Sequence, residues 1–170
     1  MSYLTTIELH KENMKFSSGH YTIFSAEKRE RLHGHNFFIH AYIDAMTDEN
    51  GIAFDYDIFK DKLYRLCKTL NGYFLLPSHS PYQTIEETTD FIIVHFGEEK
   101  IPFPKNDVLF LPIKNVTVEE LSVWFIQQLT QDMNEIDRYQ IQKILIKVYS
   151  GPGQCGTSTW VHPDKLHNIT

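Results

Sequence analysis

The sequence is poor in cysteine: only Cys67 and Cys155 occur among its 170 residues, which excludes a disulfide-stabilised scaffold. It has no run of about 18 apolar residues that could span a membrane, and its first residues lack the pattern of a signal peptide. It also has no run of basic residues, and its formal net charge is −6, so neither a nucleic-acid surface nor a membrane partner is indicated. We therefore expect a cytoplasmic protein.

The overall composition is that of an ordinary globular protein. Hydrophobic residues make up 42% of the chain and charged residues 22%, as in typical folded domains. A length of 170 residues is sufficient to form one hydrophobic core. The sequence therefore predicts a single domain over residues 1–170.

The most informative stretch is 32–37, which contains His33 and His35 on either side of Gly34. Residues two apart face the same side only in an extended backbone, so a strand here would pair the two imidazoles. His20 comes earlier, after an apolar segment typical of a neighbouring strand. Three imidazoles would hold Zn²⁺ with one position open, as in catalytic sites. The chain has nine histidines, so the spacing alone leaves a surface pair as the alternative.

Several segments resemble the 6-pyruvoyl-tetrahydropterin synthase family, which includes the 6-carboxy-tetrahydropterin synthases. They are F-S-S-G-H at 16–20, R-L-H-G-H-N-F at 31–37, G-I-A-F-D-Y at 51–56 and N-V-T-V-E-E at 115–120. The resemblance implies that His20, His33 and His35 hold Zn²⁺ and that the substrate is a pterin-like small molecule. It also implies the tunnelling fold, in which sheets of neighbouring subunits pair into a barrel with sites between chains. A homo-oligomer, a trimer or a hexamer, is implied in the same way.

Some positions depart from the family pattern. The family's catalytic cysteine, four residues before H-G-H, corresponds to Arg29. Its aspartate–histidine pair corresponds to Asn71 and Gly72, and its pterin-anchoring glutamate near the C-terminus corresponds to Ser150. One branch of the family has a glutamate three residues before H-G-H instead of the cysteine. Glu30 fits that E-x-x-H-G-H pattern.

These matches define the remaining candidate site residues. Glu30 is the candidate catalytic base, and an exposed glutamate in a charged loop is the alternative interpretation. Thr117 and Glu119, at the predicted start of a helix, and Ser150, in the glycine-rich segment 150–156, are the candidate substrate-binding residues. Helix capping alone would also explain Thr117.

Two functions remain open from the sequence. The first is a zinc-dependent lyase, similar to 6-pyruvoyl-tetrahydropterin synthase, that acts on 7,8-dihydroneopterin triphosphate with Glu30 in place of the cysteine. Members of the glutamate branch release 6-hydroxymethyl-dihydropterin. The alternative is a zinc-binding homologue that has lost standard pterin synthase catalysis and binds a different small molecule or serves in assembly.

The pattern of apolar residues predicts an α+β fold, an antiparallel sheet with two helices packed on one face. Asp55 opens the first helix, and a capping box of Thr117 and Glu120 opens the second. A β-hairpin insertion is predicted at 77–114, with Phe91–Phe96 and 108–113 as its arms. Prolines at 102, 104 and 112 confine the second arm to a sheet edge or to breaks. The other predicted strands cover 3–9, 14–17, 36–45, 141–149 and 157–162.

Overall fold

The computed structural model describes residues 1–168 and has ten strands and three α-helices in that part of the chain. The strands are β1 Leu4–Leu9, β2 Lys15–His20, β3 His33–Met46, β4 Phe74–Pro77, β5 Thr84–Glu87, β6 Phe91–Phe96, β7 Glu99–Pro104, β8 Val108–Leu111, β9 Ile141–Gly151 and β10 Gln154–Val161. The helices are α1 Asp57–Leu70, α2 Val118–Leu129 and α3 Met133–Arg138, and two 3₁₀ segments cover Lys105–Asp107 and Pro163–Asn168. The predicted α+β class is confirmed.

The larger sheet is built around β3, which is long enough to pair with three strands. β2 pairs with its first half, where His20 lies opposite His33, and β1 pairs with its second half, where Leu4 lies opposite Met46. β9 pairs along the other edge of β3, and β10 pairs with β9. These pairings are antiparallel, as predicted. Beyond β2 the sheet continues through β4 and β8 in parallel, so the complete sheet is mixed.

The helices α1 and α2 pack on one face of this sheet. α1 contributes one apolar stripe, in which Phe59, Leu63, Cys67 and Leu70 are buried, at the spacing of an amphipathic helix. Burial raises the pKa of the Cys67 thiol to about 12, which fits a packed core residue and not a nucleophile. The short helix α3 begins at its side-chain cap Asp132 and was not expected from the sequence. Within residues 1–168, no helix is both long and apolar enough to cross a membrane.

A second sheet of three strands, in the order β5-β6-β7, lies within the predicted insertion. β6 is the predicted first arm, but it pairs with β7, where Phe91 lies opposite Pro104, so the prediction of 108–113 as the second arm is wrong. Val108–Leu111 instead joins the larger sheet as β8, parallel to β4. The prolines of β7 are tolerated because β7 is an edge strand, where the missing N–H groups can face away from the ladder.

The smaller sheet has a hydrophobic core of its own. The buried members of this second core are Tyr21, Ile23, Leu76, Ile92, Val94, Phe96 and Phe103. Tyr21 and Ile23 belong to the loop between β2 and β3, so apolar burial ties the start of that loop to the smaller sheet. The interpretation of 77–114 as an insertion into one domain over 1–170 stays a prediction.

Candidate metal centre and adjoining cavity

Three imidazoles meet at one end of the β2–β3 pair. His20 lies opposite His33, and Ser18 lies opposite His35. Alternate side chains share a face of a strand, so the three histidines lie on the same side of the sheet as the helices. One potential ligand atom from each histidine lies within 4.8 Å of those of the other two. The structure therefore brings the three predicted metal ligands together.

The close approach of β2 and β3 at this point depends on glycine. A Cβ atom added at Gly34 would lie 3.1 Å from the carbonyl oxygen of Ser18. A Cβ atom added at Gly19 would overlap the ring of Phe74 on β4. Because glycine has no side chain, the backbones can approach closely at these two positions. The histidine side chains lie on the opposite face of the sheet.

Hydrogen bonds to carbonyl groups fix the orientation of two of the imidazoles. Nδ1 of His20 lies 2.8 Å from the carbonyl oxygen of Val116, and Nδ1 of His33 lies 2.8 Å from that of Arg31. A carbonyl oxygen can only accept, so both Nδ1 atoms donate, and each neutral ring carries its lone pair on Nε2. This is the arrangement in which proteins commonly hold metal-ligating histidines.

The Nε2 atoms are suited to a shared cation. Nε2 of His20 is buried and has no hydrogen-bond partner among the described residues, which is rare for a buried polar atom. Nε2 of His33 lies 3.1 Å from Nε2 of His35, and two nitrogen atoms this close need a proton or a cation between them. Three imidazole nitrogens form a donor set that suits zinc and related transition metals. The residues thus fit a metal ion.

The electrostatics also keep two of the imidazoles neutral. Burial lowers the pKa of His20 to about 4, against the opposing effect of its hydrogen bond to the Val116 carbonyl group. Burial and the neighbouring His33 lower the pKa of His35 as well. An imidazole must be deprotonated to bind a metal, so both rings are in the binding-competent state at neutral pH.

Glu30 lies beside the imidazoles, with its Oε2 atom 3.8 Å from Nε2 of His33. The carboxylate accepts a hydrogen bond of 3.0 Å from the backbone N–H of Thr22, and the backbone N–H of Glu30 donates to the carbonyl oxygen of Thr22 over 2.8 Å. Burial acts to raise the pKa of Glu30, but the hydrogen bonds from Thr22 and the nearby His33 and His20 outweigh it and lower the pKa. The side chain is therefore ionised at neutral pH, as a general base must be.

A cavity of about 230 Å³ adjoins the imidazoles. It is lined by every predicted site residue: His20, His33, His35, Glu30, Thr117, Glu119 and Ser150. Thr22, Phe37, Val118 and Gln154 line it too, and these four were not predicted. The convergence of these side chains gives one place where a ligand would meet all of them.

One wall of the cavity is the start of α2. Oγ1 of Thr117 accepts a hydrogen bond of 3.3 Å from the backbone N–H of Glu120, which is half of the predicted capping box. The Glu120 carboxylate accepts instead from the backbone N–H of Lys114, over 3.0 Å. Glu119 is left at the cavity wall. Because Gly156 has no side chain, β10 lies directly against the backbone of this first turn.

Ser150 and Gln154 form a second polar wall, at the end of β9 and the beginning of β10. Nε2 of Gln154 donates a hydrogen bond of 3.1 Å to Oγ of Ser150. The glycine-rich segment 150–156 had indicated a ligand-binding turn, and Gln154 could have been named from it. No comparable signal marked Thr22, because its contact with Glu30 depends on how the loop folds back on itself.

Fold and site together define a protein of the α+β class with a candidate metal centre and a polar cavity beside the start of a helix. The family model described as 6-pyruvoyl tetrahydropterin synthase matches residues 8–159 of the chain. The chain belongs to the 6-pyruvoyl tetrahydropterin synthase family.

Individual relatives agree with this assignment. A Pyrococcus horikoshii protein with the provisional name 6-carboxy-5,6,7,8-tetrahydropterin synthase is 23% identical, with 81% of each chain covered. The crystal structure of 6-pyruvoyl tetrahydropterin synthase from Plasmodium vivax has a TM-score of 0.89 and 25% identity, over 94% of this chain and 99% of that one. A variant of the P. vivax enzyme, with a catalytic glutamate replaced by alanine, has the same TM-score and coverage at 24% identity.

Proposed function

We propose that the protein is a zinc-dependent lyase that acts on 7,8-dihydroneopterin triphosphate, with Glu30 as the base in place of the family's cysteine. The observation that carries the proposal is the position of the Glu30 carboxylate, 3.8 Å from Nε2 of His33 and in the same cavity as all three imidazoles. A base must come within hydrogen-bond reach of the proton that it removes. A ligand bound at the imidazoles would bring its side-chain protons near this carboxylate.

Each polar group has a role in this proposal. His20, His33 and His35 would hold Zn²⁺, which when bound polarises the oxygen atoms of a substrate and makes an adjacent proton easier to remove. Glu30, kept ionised by Thr22, takes that proton. When that proton is taken from the 2′-hydroxyl group, the C1′–C2′ bond breaks, the phosphorylated two-carbon fragment leaves as an aldehyde, and Glu30 returns the proton to C1′. We therefore propose 6-hydroxymethyl-dihydropterin as the product, as in the glutamate branch of the family.

The pterin ring needs a new anchor, because Ser150 stands where the family has a glutamate. Glu119 supplies a carboxylate at the same cavity, and its oxygen atoms can accept hydrogen bonds from ring N–H groups. Thr117 and Ser150 offer hydroxyl groups at the same cavity. We therefore assign recognition of the ring to Glu119, Thr117 and Ser150 together.

The size of the cavity supports an assembly. Its volume of about 230 Å³ is below the ~300–1,000 Å³ of typical small-molecule sites. One chain therefore encloses only part of a dihydropterin triphosphate. A neighbouring subunit would complete the site, as the family's homo-oligomers of three or six chains imply.

The names of the relatives support the proposal as well. The P. vivax protein is a 6-pyruvoyl tetrahydropterin synthase with a glutamate among its catalytic residues. Glu30 is the glutamate that fits the E-x-x-H-G-H pattern in this chain. The P. horikoshii protein is provisionally named for a 6-carboxy product instead. Because the names of the relatives differ in the product, the product of this protein must be identified directly.

The test is to incubate the zinc-loaded protein with 7,8-dihydroneopterin triphosphate and to identify the products by mass spectrometry. A 6-hydroxymethyl product is expected. A 6-pyruvoyl or 6-carboxy product would assign the base role to another group, and the absence of any product would overturn the proposed activity.

Replacing the base gives the corresponding prediction. Glu30→Gln keeps the shape of the side chain but cannot accept a proton, so we expect turnover to fall by about 10²–10⁴-fold while zinc content stays the same. Glu27→Gln is the matched control, because Glu27 is an exposed carboxylate in the same loop that does not line the cavity. Equal turnover in the two variants would remove Glu30 from the mechanism.

A second function is favoured by Arg29, Asn71, Gly72 and Ser150, which replace the proton-transfer groups and the anchor of the family. On this alternative the protein binds zinc but has lost standard pterin catalysis, and it holds another small molecule or serves in assembly. About one zinc ion per chain, with neither binding nor turnover of the pterin substrate, would favour this alternative.

A further inference from the structure

Arg29, which stands at the position of the family's cysteine, joins the loop that carries Glu30 to the smaller sheet. Its Nε atom donates a hydrogen bond of 2.8 Å to Oε2 of Glu99 on β7, and its Nη2 atom pairs with the same oxygen. Its Nη1 atom donates to the backbone carbonyl oxygen of Glu30 over 2.8 Å. The rigid, planar guanidinium group thus links a carboxylate of the smaller sheet to the backbone of the candidate base.

Aromatic rings hold the guanidinium group in this position. Its central carbon lies 5.4 Å from the ring centroid of Tyr21 and 5.9 Å from that of Phe96, within the range of a cation–π interaction. Both rings are buried in the second core. The hydroxyl group of Tyr21 donates a hydrogen bond of 2.6 Å to Oε1 of Gln83, which fixes that ring in turn. Only 17% of the Arg29 side chain is exposed.

Within the loop, two hydrogen bonds join Glu30 to Thr22, and a bridge from Ile23 to Arg29 pairs the two halves of the loop. Asn115 holds Ile23 through two hydrogen bonds, of 3.1 and 2.7 Å. The Glu30 carbonyl group, in contrast, receives its hydrogen bond from Arg29. A shift of Arg29 would therefore move the backbone that carries the Glu30 carboxylate.

We propose that Arg29 is a positioning residue for Glu30 and that the three-stranded sheet, through Glu99, acts as a support for the loop of the base. The proposal rests on the proposed function, because the position of Glu30 matters for turnover only if Glu30 is the base. Proton transfer is sensitive to the distance between the base and its proton. Glu99 does not line the cavity, so its influence on turnover must pass through Arg29.

The kinetic test compares Arg29→Gln and Glu99→Gln with the wild-type protein. We expect kcat to fall about tenfold or more in both variants, since small displacements of catalytic groups have effects of this size, while KM and zinc content stay unchanged. The double variant should be no slower than Arg29→Gln alone, because the two residues act in series. Glu87→Gln is the control. Glu87 lies on β5 of the same three-stranded sheet, and its substitution breaks the ion pair with Lys105 but should leave kcat unchanged.

Hydrogen exchange separates this proposal from the proposed function. Faster exchange of the backbone amides of Thr22 and Glu30 in Glu99→Gln, but not in Glu87→Gln, would support positioning even if the wild-type protein makes no product. Unchanged exchange at these amides would overturn it. If the wild-type protein is active, an unchanged kcat in Arg29→Gln and Glu99→Gln would also overturn the positioning role. A loss of zinc in parallel with the loss of turnover would overturn it too.

Discussion

The free nitrogen atom of each histidine decides what the site can bind. The carbonyl group that orients His33 belongs to Arg31, two residues away, whereas the one that orients His20 belongs to Val116, far along the chain. Both contacts leave Nε2 as the atom with the lone pair. Two histidines in a surface strand, without such carbonyl groups as hydrogen-bond acceptors, would not be held in a defined orientation.

Removing one imidazole should remove the metal. We expect His33→Ala to reduce zinc from about one ion per chain to near zero after gel filtration, since two imidazoles do not form the three-ligand set of a catalytic zinc site. Metal analysis by mass spectrometry measures this. His95→Ala is the control, because His95 lies on β6 and pairs with Glu86 over 2.7 Å. Full zinc content in His33→Ala would mean that the proposed ligand set is wrong.

The start of α2 shows how one element forms a wall of the site. Val116 is fully buried before the helix and Leu121 is fully buried in its first turn, as expected of a hydrophobic staple. Thr117 is the N-cap residue, and its side chain accepts a hydrogen bond from the backbone N–H of Glu120. The helix then lies so close to β10 that a side chain at Gly156 would overlap the carbonyl group of Val118. Helix and strand therefore fix Glu119 at the cavity together.

This contact predicts the effect of adding one methyl group. Gly156→Ala would force α2 away from β10, and we expect a loss of about 1–3 kcal/mol in the free energy of unfolding, as for other overpacked sites. Gly151→Ala is the matched control, because no atom lies within 4 Å of the added Cβ position. Urea denaturation measures both. Equal stability of the two variants would contradict the close packing of α2 on β10.

At the scale of the whole molecule, the larger sheet is open. β10 and β8 lie at the two ends of its strand order, and such edge strands present backbone N–H and C=O groups that can pair with another chain. The resemblance to the family implies a tunnelling fold in which the sheets of neighbouring subunits pair, and we expect such pairing at these edges. The partial enclosure of the candidate site fits the same arrangement.

The assembly should be visible in the mass of the protein. We expect native mass spectrometry to give three or six times the chain mass of 20.0 kDa, because edge pairing between chains satisfies backbone groups that a monomer leaves to water. A dilution series followed by light scattering should retain the same assembly at micromolar concentration. A monomer in both measurements would contradict this prediction.

The sequence by itself determined the features that depend on near neighbours. His33 and His35 share a face because a strand alternates its side chains, and the Thr117 cap is set by a contact three residues away. The apolar stripe of α1 is likewise visible in the order of residues alone. The place of His20 after a predicted neighbouring strand indicated a third imidazole, and the resemblance to the family then implied its role as a ligand and pointed to Glu30.

Only the tertiary structure decided the rest. The pairing of β8 with β4 depends on which distant segments meet, and local propensity carries little information about that choice. The contact of Arg29 with Glu99 spans 70 positions, and it depends on the burial of apolar side chains of the loop and of the smaller sheet in the same core.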